Sequence, residues 1–360
     1  MNVNEHPPCS LSKRNMKGTV ALSSMKRQGP AHLPYPDGWF AVAFSRDIPP
    51  GRVLCQKFMG GEVVIYRTRS GLLRVTEPYC PHLGAHLGHG GTVEAENLVC
   101  PFHHLAFSPA GECVGAGRRV SPPRNARLTL LESREVDGIV IVWHHAQGAP
   151  PTWEVKSDAG RELMEPVHHL FTLTDHPQEV LENGVDLGHF PVVHGTTLEY
   201  TEEPVYDGPS VRSKAVFTPS NPRFGGLLSS VRVEAEATFH GLGWLSANVR
   251  LPALRLSIRI WVLPTPIDPH HTEVQLAVSM PRPRRRLRTL PPVGKVLLSK
   301  VFLSLALRGF CWDFRKDIDL WANKIYLERP RLTSCDRMVM PFRRWAKQFY
   351  STTPQQGTPV

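Results

Sequence analysis

Cys80-Pro81-His82-Leu83-Gly84-Ala85-His86-Leu87-Gly88-His89-Gly90-Gly91 and, after a short apolar run, Cys100-Pro101-Phe102-His103-His104 are the two stretches whose reading decides the fold. Seventeen residues separate His82 from Cys100, so two Cys-His pairs sit on two separate loops. Mixed sulfur and imidazole donors hold either one tetrahedral zinc, or a [2Fe-2S] cluster with two thiolates on one iron and two imidazoles on the other. The flanks favour the cluster. Zinc fingers usually place two or more residues between paired ligands and follow them with a helix. Here a single residue stands between Cys80 and His82, and a glycine-rich loop follows. Glycines let backbone N–H groups approach the sulfurs of a cluster, the kind of support such centres require. His86, His89 and His104 are left as surface or supporting histidines.

Short β-type runs surround these loops: Phe40 to Phe44, Val63 to Tyr66, Leu72 to Val75, Leu98-Val99 and Ile139 to Trp143. They predict a small, mostly-β domain over residues 34–148, ended by the linker-like Gly148-Ala149-Pro150-Pro151-Thr152. Residues 1–33 read as a flexible basic tail and 351–360 as a flexible C-terminus. In the second domain, 149–350, Glu179 to His189 reads as a helix. Alternation over Val231–Phe239, Leu254–Val262 and Val274–Val278 predicts antiparallel strands, and helices are expected over 296–307 and 310–326. The fold class is therefore α+β.

The composition, 41% hydrophobic over 360 residues, excludes whole-chain disorder, and seven cysteines are too few and too unevenly spaced for a disulfide scaffold. No run reaches the roughly 18 uncharged apolar residues of a membrane span. With no secretory h-region and free thiols expected, a reducing cytoplasm is the natural compartment. The formal charge of +10 divides unevenly: residues 1–30 carry +4 and residues 281–300 carry +7, leaving the other 310 near −1. A near-neutral body excludes nucleic-acid binding as the main function. The arginine run Arg282 to Arg288 is either a solvated connector or a dock for an acidic protein or an anionic membrane.

Glu182-Asn183-Gly184-Val185-Asp186-Leu187-Gly188-His189-Phe190-Pro191-Val192-Val193-His194 carries the second chemical signal. On a helix, positions 182, 186 and 189 share a face, and Pro191 would end the helix and turn His194 back toward it. Two imidazoles near a carboxylate are two-thirds of a facial triad for non-haem Fe(II). For the third ligand, the apolar stripe Phe310, Phe314, Ile318, Trp321, Ile325 turns Asp317 inward and Asp319 outward. A carboxylate on an apolar face is costly unless paired or metal-bound, so Asp317 is the choice, with Asp313 one turn earlier the alternative. The competing reading is a surface carboxylate paired with Lys316 or Lys324.

Together these segments resemble the Rieske non-haem iron oxygenases. The loop pair implies Cys80, His82, Cys100 and His103 as cluster ligands. Leu105 stands where members of the family often carry Trp. Residues 183–194 resemble the signature Asn-x2-Asp-x2-His-x4-His, which implies His189 and His194 as iron ligands beside Asn183, with Asp186 linking one subunit's iron to its neighbour's cluster. The helix Lys316 to Trp321 is similar to that of the carboxylate ligand, matching Asp317. Tyr35-Pro36-Asp37-Gly38-Trp39-Phe40 and Arg344 to Tyr350 resemble the branch of ketosteroid 9α-hydroxylase and cholesterol 7-desaturase, while Cys100 to Val114 is also similar to an arylamine N-oxygenase. The resemblance implies a Rieske domain followed by a helix-grip catalytic domain, a homotrimer, and a [2Fe-2S] cluster plus mononuclear Fe(II). No flavin or nicotinamide site is visible, so it further implies O2 and a separate ferredoxin or NAD(P)H-dependent reductase. Hydroxylation or desaturation of a bulky lipophilic substrate such as a sterol or steroid is expected, with N-oxygenation, demethylation or oxidative cyclisation of an aromatic or amine natural product as the alternative. An inactive electron-transfer protein would be unaffected by His194→Ala, and a zinc-stabilised module would be colourless.

Overall fold

The computed structural model describes residues 33–117, 122–157, 159–160, 162–219, 232–282 and 292–351. Most of the expected basic tail, nearly all of the C-terminal segment, Val231 and Arg284 to Arg288 of the arginine run lie outside these residues.

The short apolar runs of the first region become three small sheets. Gly38–Phe44 pairs with Ile139–His144, which pairs with Ser133–Val136; Val53–Phe58, Gly61–Arg67 and Leu73–Thr76 form a meander. Four short strands from Thr92–Glu94 to Cys113–Gly115 make the third sheet, which flanks the two Cys-His loops. Tyr66, Leu87, Leu98, Leu105 and Phe107 form a buried cluster there with Cys80 and Cys100. Leu105 is fully buried in it, so an aliphatic side chain fills the position where a Trp is common in the family.

The second region is a seven-stranded antiparallel sheet, in spatial order Val167–Leu173, His271–Ser279, Leu256–Asp268, Trp244–Leu251, Val233–His240, Ser210–Pro219, Thr196–Asp207. The alternating runs Val233–Phe239 and Val274–Val278 are strands as expected. Leu254 instead sits in a 3-10 turn that ends at Arg255 with φ 51°, and the strand begins at Leu256. Three helices accompany the sheet: α1 (Pro177–Glu182), α2 (Pro292–Trp321) and α3 (Val339–Ala346). Leu181, Phe239, Leu276, Phe314 and Phe342 join sheet and helices in one core.

Two helix expectations change. The helix read over Glu179–His189 stops at Glu182 and continues as a 3-10 turn, Asn183–Val185, before Asp186 goes extended. Asn183 and Gly184 are weak helix formers, and the Asp186 carboxylate accepts the Gly188 N–H at 2.9 Å, an alternative to the helical bond. The two helices expected at 296–307 and 310–326 are one 30-residue helix. It runs through Gly309, where a Cβ would meet open space, and ends where the Asn323 side chain donates to the Asp319 carbonyl.

The first strand also packs across onto the large sheet. Trp39, Ala41, Ile139 and Ile141 share a buried cluster with Trp244, Trp261, Leu263 and Ala277. Trp39 Nε1 donates to the Trp153 carbonyl at 2.7 Å and Thr265 Oγ1 to the Ala41 carbonyl at 2.7 Å.

Candidate functional site

The two Cys-His loops are built alike. Cys80 N–H donates to Ala85 O and Gly84 N–H to Cys80 O; in the second loop Cys100 N–H donates to Leu105 O and His104 N–H to Cys100 O. Each loop thus closes four and five residues after its cysteine, and the residue in the left-handed region is Gly84 (φ 72°) in one and His104 (φ 54°) in the other. The spare His104 therefore holds a turn conformation that histidine tolerates better than most side chains. His104→Gly is expected to retain the visible spectrum and stability of the wild type. His104→Val, β-branched at positive φ, is expected to cost about 1–2 kcal/mol and shorten the life of the chromophore, followed by absorption during heating.

The loops bring the His82 and His103 rings to 4.7 Å between centroids, over buried Cys80 and Cys100. His82 Nδ1 is buried and has no hydrogen-bond partner among the described residues. Burial pushes the Cys80 thiol up to about 11 against the pull of a His82 backbone hydrogen bond, and neighbouring Cys100 adds to the rise. A buried thiol that resists ionisation beside a second buried cysteine, with an imidazole nitrogen left without a partner among the described residues, fits a cationic cluster, which would deprotonate its cysteines on binding.

The second site forms where α1 gives way to irregular backbone. His189 Nδ1 donates to the Asp186 carbonyl at 2.7 Å, which directs Nε2 inward, 3.0 Å from Asn183 Nδ2. Phe190–His194 is a π-helical turn closed by Gly195 at φ 64°. Pro191 does not break the chain as the sequence led us to expect. It sits in the first turn, where its missing N–H costs nothing, and the wider π turn carries His194 round to face His189, with ring centroids 5.1 Å apart. From α2, Asp317 Oδ1 reaches within 3.3 Å of His194 Nε2, while Asp313 Oδ2 stands 3.1 Å from His194 Nδ1. Asp317 is 5% exposed and Asp319 is at the surface. The surface partners differ from those weighed for Asp317: Lys316 pairs with Asp313 at 2.7 Å and Lys324 with Glu179.

One donor atom each from His189, His194 and Asp317 lies within 4.8 Å of the others, a two-imidazole, one-carboxylate set that fits a divalent iron with open positions. Asp313 occupies the far nitrogen of His194 and would orient that ring. Asp186 is half-buried beside His189, its Oδ2 3.8 Å from Nδ1.

Burial holds His189 below its ordinary value although Asp186 pulls the other way. Burial also opposes charge on His194, but the Asp313 and Asp317 carboxylates beside its two ring nitrogens outweigh it and raise the ring to about 9. A divalent ion that takes His194 Nε2 must displace a proton retained until about pH 9. Its apparent affinity is expected to rise about tenfold per pH unit from neutrality and to level off above the imidazole's raised value, with one proton released per ion, as read by Fe(II) titration under anaerobic conditions. The sign follows from the raised value: protonation competes below it and ceases above it.

Glu182, which helical spacing puts on the face of Asp186, is buried. It takes a bidentate bond from Arg343 of α3, with both N–O distances 2.7 Å. Arg343 also donates to the Leu327 carbonyl and lies over the Tyr326 ring. This pair, which the sequence did not reveal, pins the end of α1 one residue before Asn183.

A cavity of about 440 Å³ opens beside the site, between the concave face of the sheet and α2. Leu198, Phe217, Val233, Phe239, Val249, Ile260 and Phe310 give it an apolar wall, and two further lining residues, Phe190 and Asp313, stand against the imidazoles.

Comparison with known proteins agrees with this layout. Residues 38–127 match the Rieske [2Fe-2S] domain and residues 142–350 match the 3-ketosteroid 9alpha-hydroxylase C-terminal domain. The chain is 28% identical to cholesterol 7-desaturase of Bombyx mori over 88% of this chain and 70% of the relative. It is 27% identical to the "Probable 3-ketosteroid-9-alpha-monooxygenase, oxygenase component" of Rhodococcus rhodochrous, over 88% of this chain and 80% of the relative. Among solved structures, dicamba monooxygenase bound to dicamba superposes with a TM-score of 0.59 at 17% identity, covering 87% of this chain and 97% of that one. Pseudomonas putida CBB5 NdmA with caffeine gives 0.62 at 16%, covering 86% and 89%. These two likenesses concern the fold.

Proposed function

Because the chain belongs to the family of the 3-ketosteroid 9alpha-hydroxylase C-terminal domain, preceded by a Rieske domain, it is a Rieske oxygenase, and we propose that it hydroxylates or desaturates a sterol or steroid. The observation that carries this reading is the apolar cavity leading to His189, His194 and Asp317: it suits a large rigid hydrocarbon and offers little polar recognition beyond Thr196, Ser213 and Tyr200. Among the described residues its one carboxylate, Asp313, is already engaged by Lys316 and His194, which disfavours a cationic amine there.

In this reading Cys80, His82, Cys100 and His103 hold the [2Fe-2S] cluster, and His189, His194 and Asp317 hold a mononuclear iron. Once bound, the cluster would relay electrons from an external donor and the mononuclear iron would activate O2. The protein supplies position and dryness. The Asp186 carbonyl fixes the His189 tautomer, Asp313 fixes that of His194, and Phe190 with the sheet wall keeps water from the reacting carbon. Half-exposed Asp186, beside His189, is suited to linking with a neighbouring subunit's cluster histidine in a homotrimer. The relative named as an oxygenase component supports a separate ferredoxin or NAD(P)H-dependent reductase as electron donor. Leu297, Leu298, Val301 and Leu305 are exposed along the first half of α2, a face suited to peripheral contact with a membrane that holds such a substrate.

The test is incubation of the iron-loaded protein with reductant, O2 and a panel of sterols, ketosteroids and arylamines, read by mass spectrometry. A product changed by one oxygen or by two hydrogens from a sterol or ketosteroid is expected. Turnover of arylamines alone would overturn the substrate class.

A further inference from the structure

Outside the two centres, four different donors converge on the outer side of the first cluster loop. Cys55 on strand Val53–Phe58 and Glu62 on strand Gly61–Arg67 face His86 and His89 of the loop that carries His82. One ligand atom from each of the four lies within 4.8 Å of all the others. Cys55 Sγ is 3.6 Å from Glu62 Oε1 and 4.0 Å from His86 Nε2, and His86 Nε2 is 3.1 Å from Glu62 Oε2. A tetrahedral zinc, with bonds of about 2.0–2.3 Å, needs donors roughly 3.3–3.8 Å apart, so these separations are close to the edges of such a polyhedron.

We propose that Cys55, Glu62, His86 and His89 form a zinc site that ties the cluster-bearing loop to the adjoining hairpin. Three further observations support it. Gly88 brings the loop so close that a Cβ there would stand 2.8 Å from Cys55 Cβ, so the loop is shaped for the approach of His86 and His89 to the thiol. Cys55, Glu62 and His86 are half-buried while His89 is exposed, which leaves an ion a way in. One thiolate and one carboxylate balance the charge of a divalent ion, and the set of one sulfur, two nitrogens and one oxygen is borderline-soft, as zinc prefers. His86 Nε2 and Glu62 Oε2 now face each other at 3.1 Å, and an ion would sit between them. Binding through Nε2 would put the ring proton on Nδ1, so the ion would have to displace the bond that Nδ1 now accepts from the Gly88 amide at 3.1 Å. The site lies four residues after His82, so its role is to fix the loop on which the cluster ligand stands.

Zinc content separates this site from the iron centres. The holoenzyme is equilibrated with ZnCl2, desalted, and analysed for zinc and iron together. Close to one zinc per chain at unchanged iron is expected for the wild type, with at least a tenfold lower zinc occupancy in His89→Ala and Cys55→Ser while the visible spectrum is kept. His89 is exposed, so its replacement tests the site even if Cys55→Ser does not fold. The zinc-loaded wild type should also hold its chromophore longer on heating than His89→Ala does. No retained zinc, equal zinc in wild type and His89→Ala, or zinc gained only as iron is lost would each overturn the proposal.

Discussion

Asp317→Ala is expected to abolish oxygen-dependent product formation while leaving the visible and EPR signature of the Rieske domain intact. Asp317 is the buried carboxylate on the Nε2 side of His194, within reach of His189 as well. Removing it leaves two imidazoles, too few to retain Fe(II) in a water-filled gap, and iron per chain should fall from about three to about two. A lost metal ligand corresponds to several kcal/mol of transition-state stabilisation, on the order of a thousandfold or more in turnover. Asp313→Ala separates the two roles. Asp313 meets the other nitrogen and orients the ring, so its loss should cost about 10–100-fold, mostly as weaker iron retention. The reverse ranking, with Asp313→Ala dead and Asp317→Ala active, would move the third ligand one turn along α2.

Arg343→Met is expected to have the largest effect on stability. Glu182 and Arg343 are each 8% exposed and meet in a two-point ion pair. Deleting the guanidinium strands a buried carboxylate and unsatisfies the Leu327 carbonyl, at a cost of about 3–5 kcal/mol. The double change Glu182→Leu with Arg343→Met should recover most of that loss, because a paired charge and a well-packed apolar pair are often close in free energy. Urea unfolding of the wild type, the single and the double variants measures the difference; equal stability of wild type and Arg343→Met would contradict it. Since Glu182 immediately precedes Asn183, the single variant should also lower iron occupancy before it unfolds.

What the sequence made legible follows from distance along the chain. The cluster loops and the His189/His194 pair are local, each a run of consecutive residues with its own spacing, and the apolar stripe of α2 placed Asp317 inward. Periodicity also found strands such as Val274–Val278, although there both faces are buried and the alternation is one of residue type only. The hairpin Thr196–Asp207 and Ser210–Pro219 escaped, since its half-exposed first strand is rich in Glu and Tyr and bears no regular apolar alternation. The 3-10 and π turns escaped because a helix and these tighter or wider coils share nearly the same residue preferences over so few positions. Tertiary pairings were out of reach altogether: Glu182 with Arg343 spans 161 positions, and Cys55 with His86 joins a strand to a loop.

The tryptophan-lined layer between the first strand and the large sheet bears on how such enzymes can be recombined. A break at Gly148–Pro151, the point a designer would choose from the sequence, strips Trp244 and Trp261 of their cover and leaves Trp39 bare on the other fragment. Neither piece is then a free-standing module. A chimera that exchanges the Rieske half for that of a relative would have to carry the matching sheet surface with it, so the two halves are mechanically coupled through a patch outside both candidate metal sites.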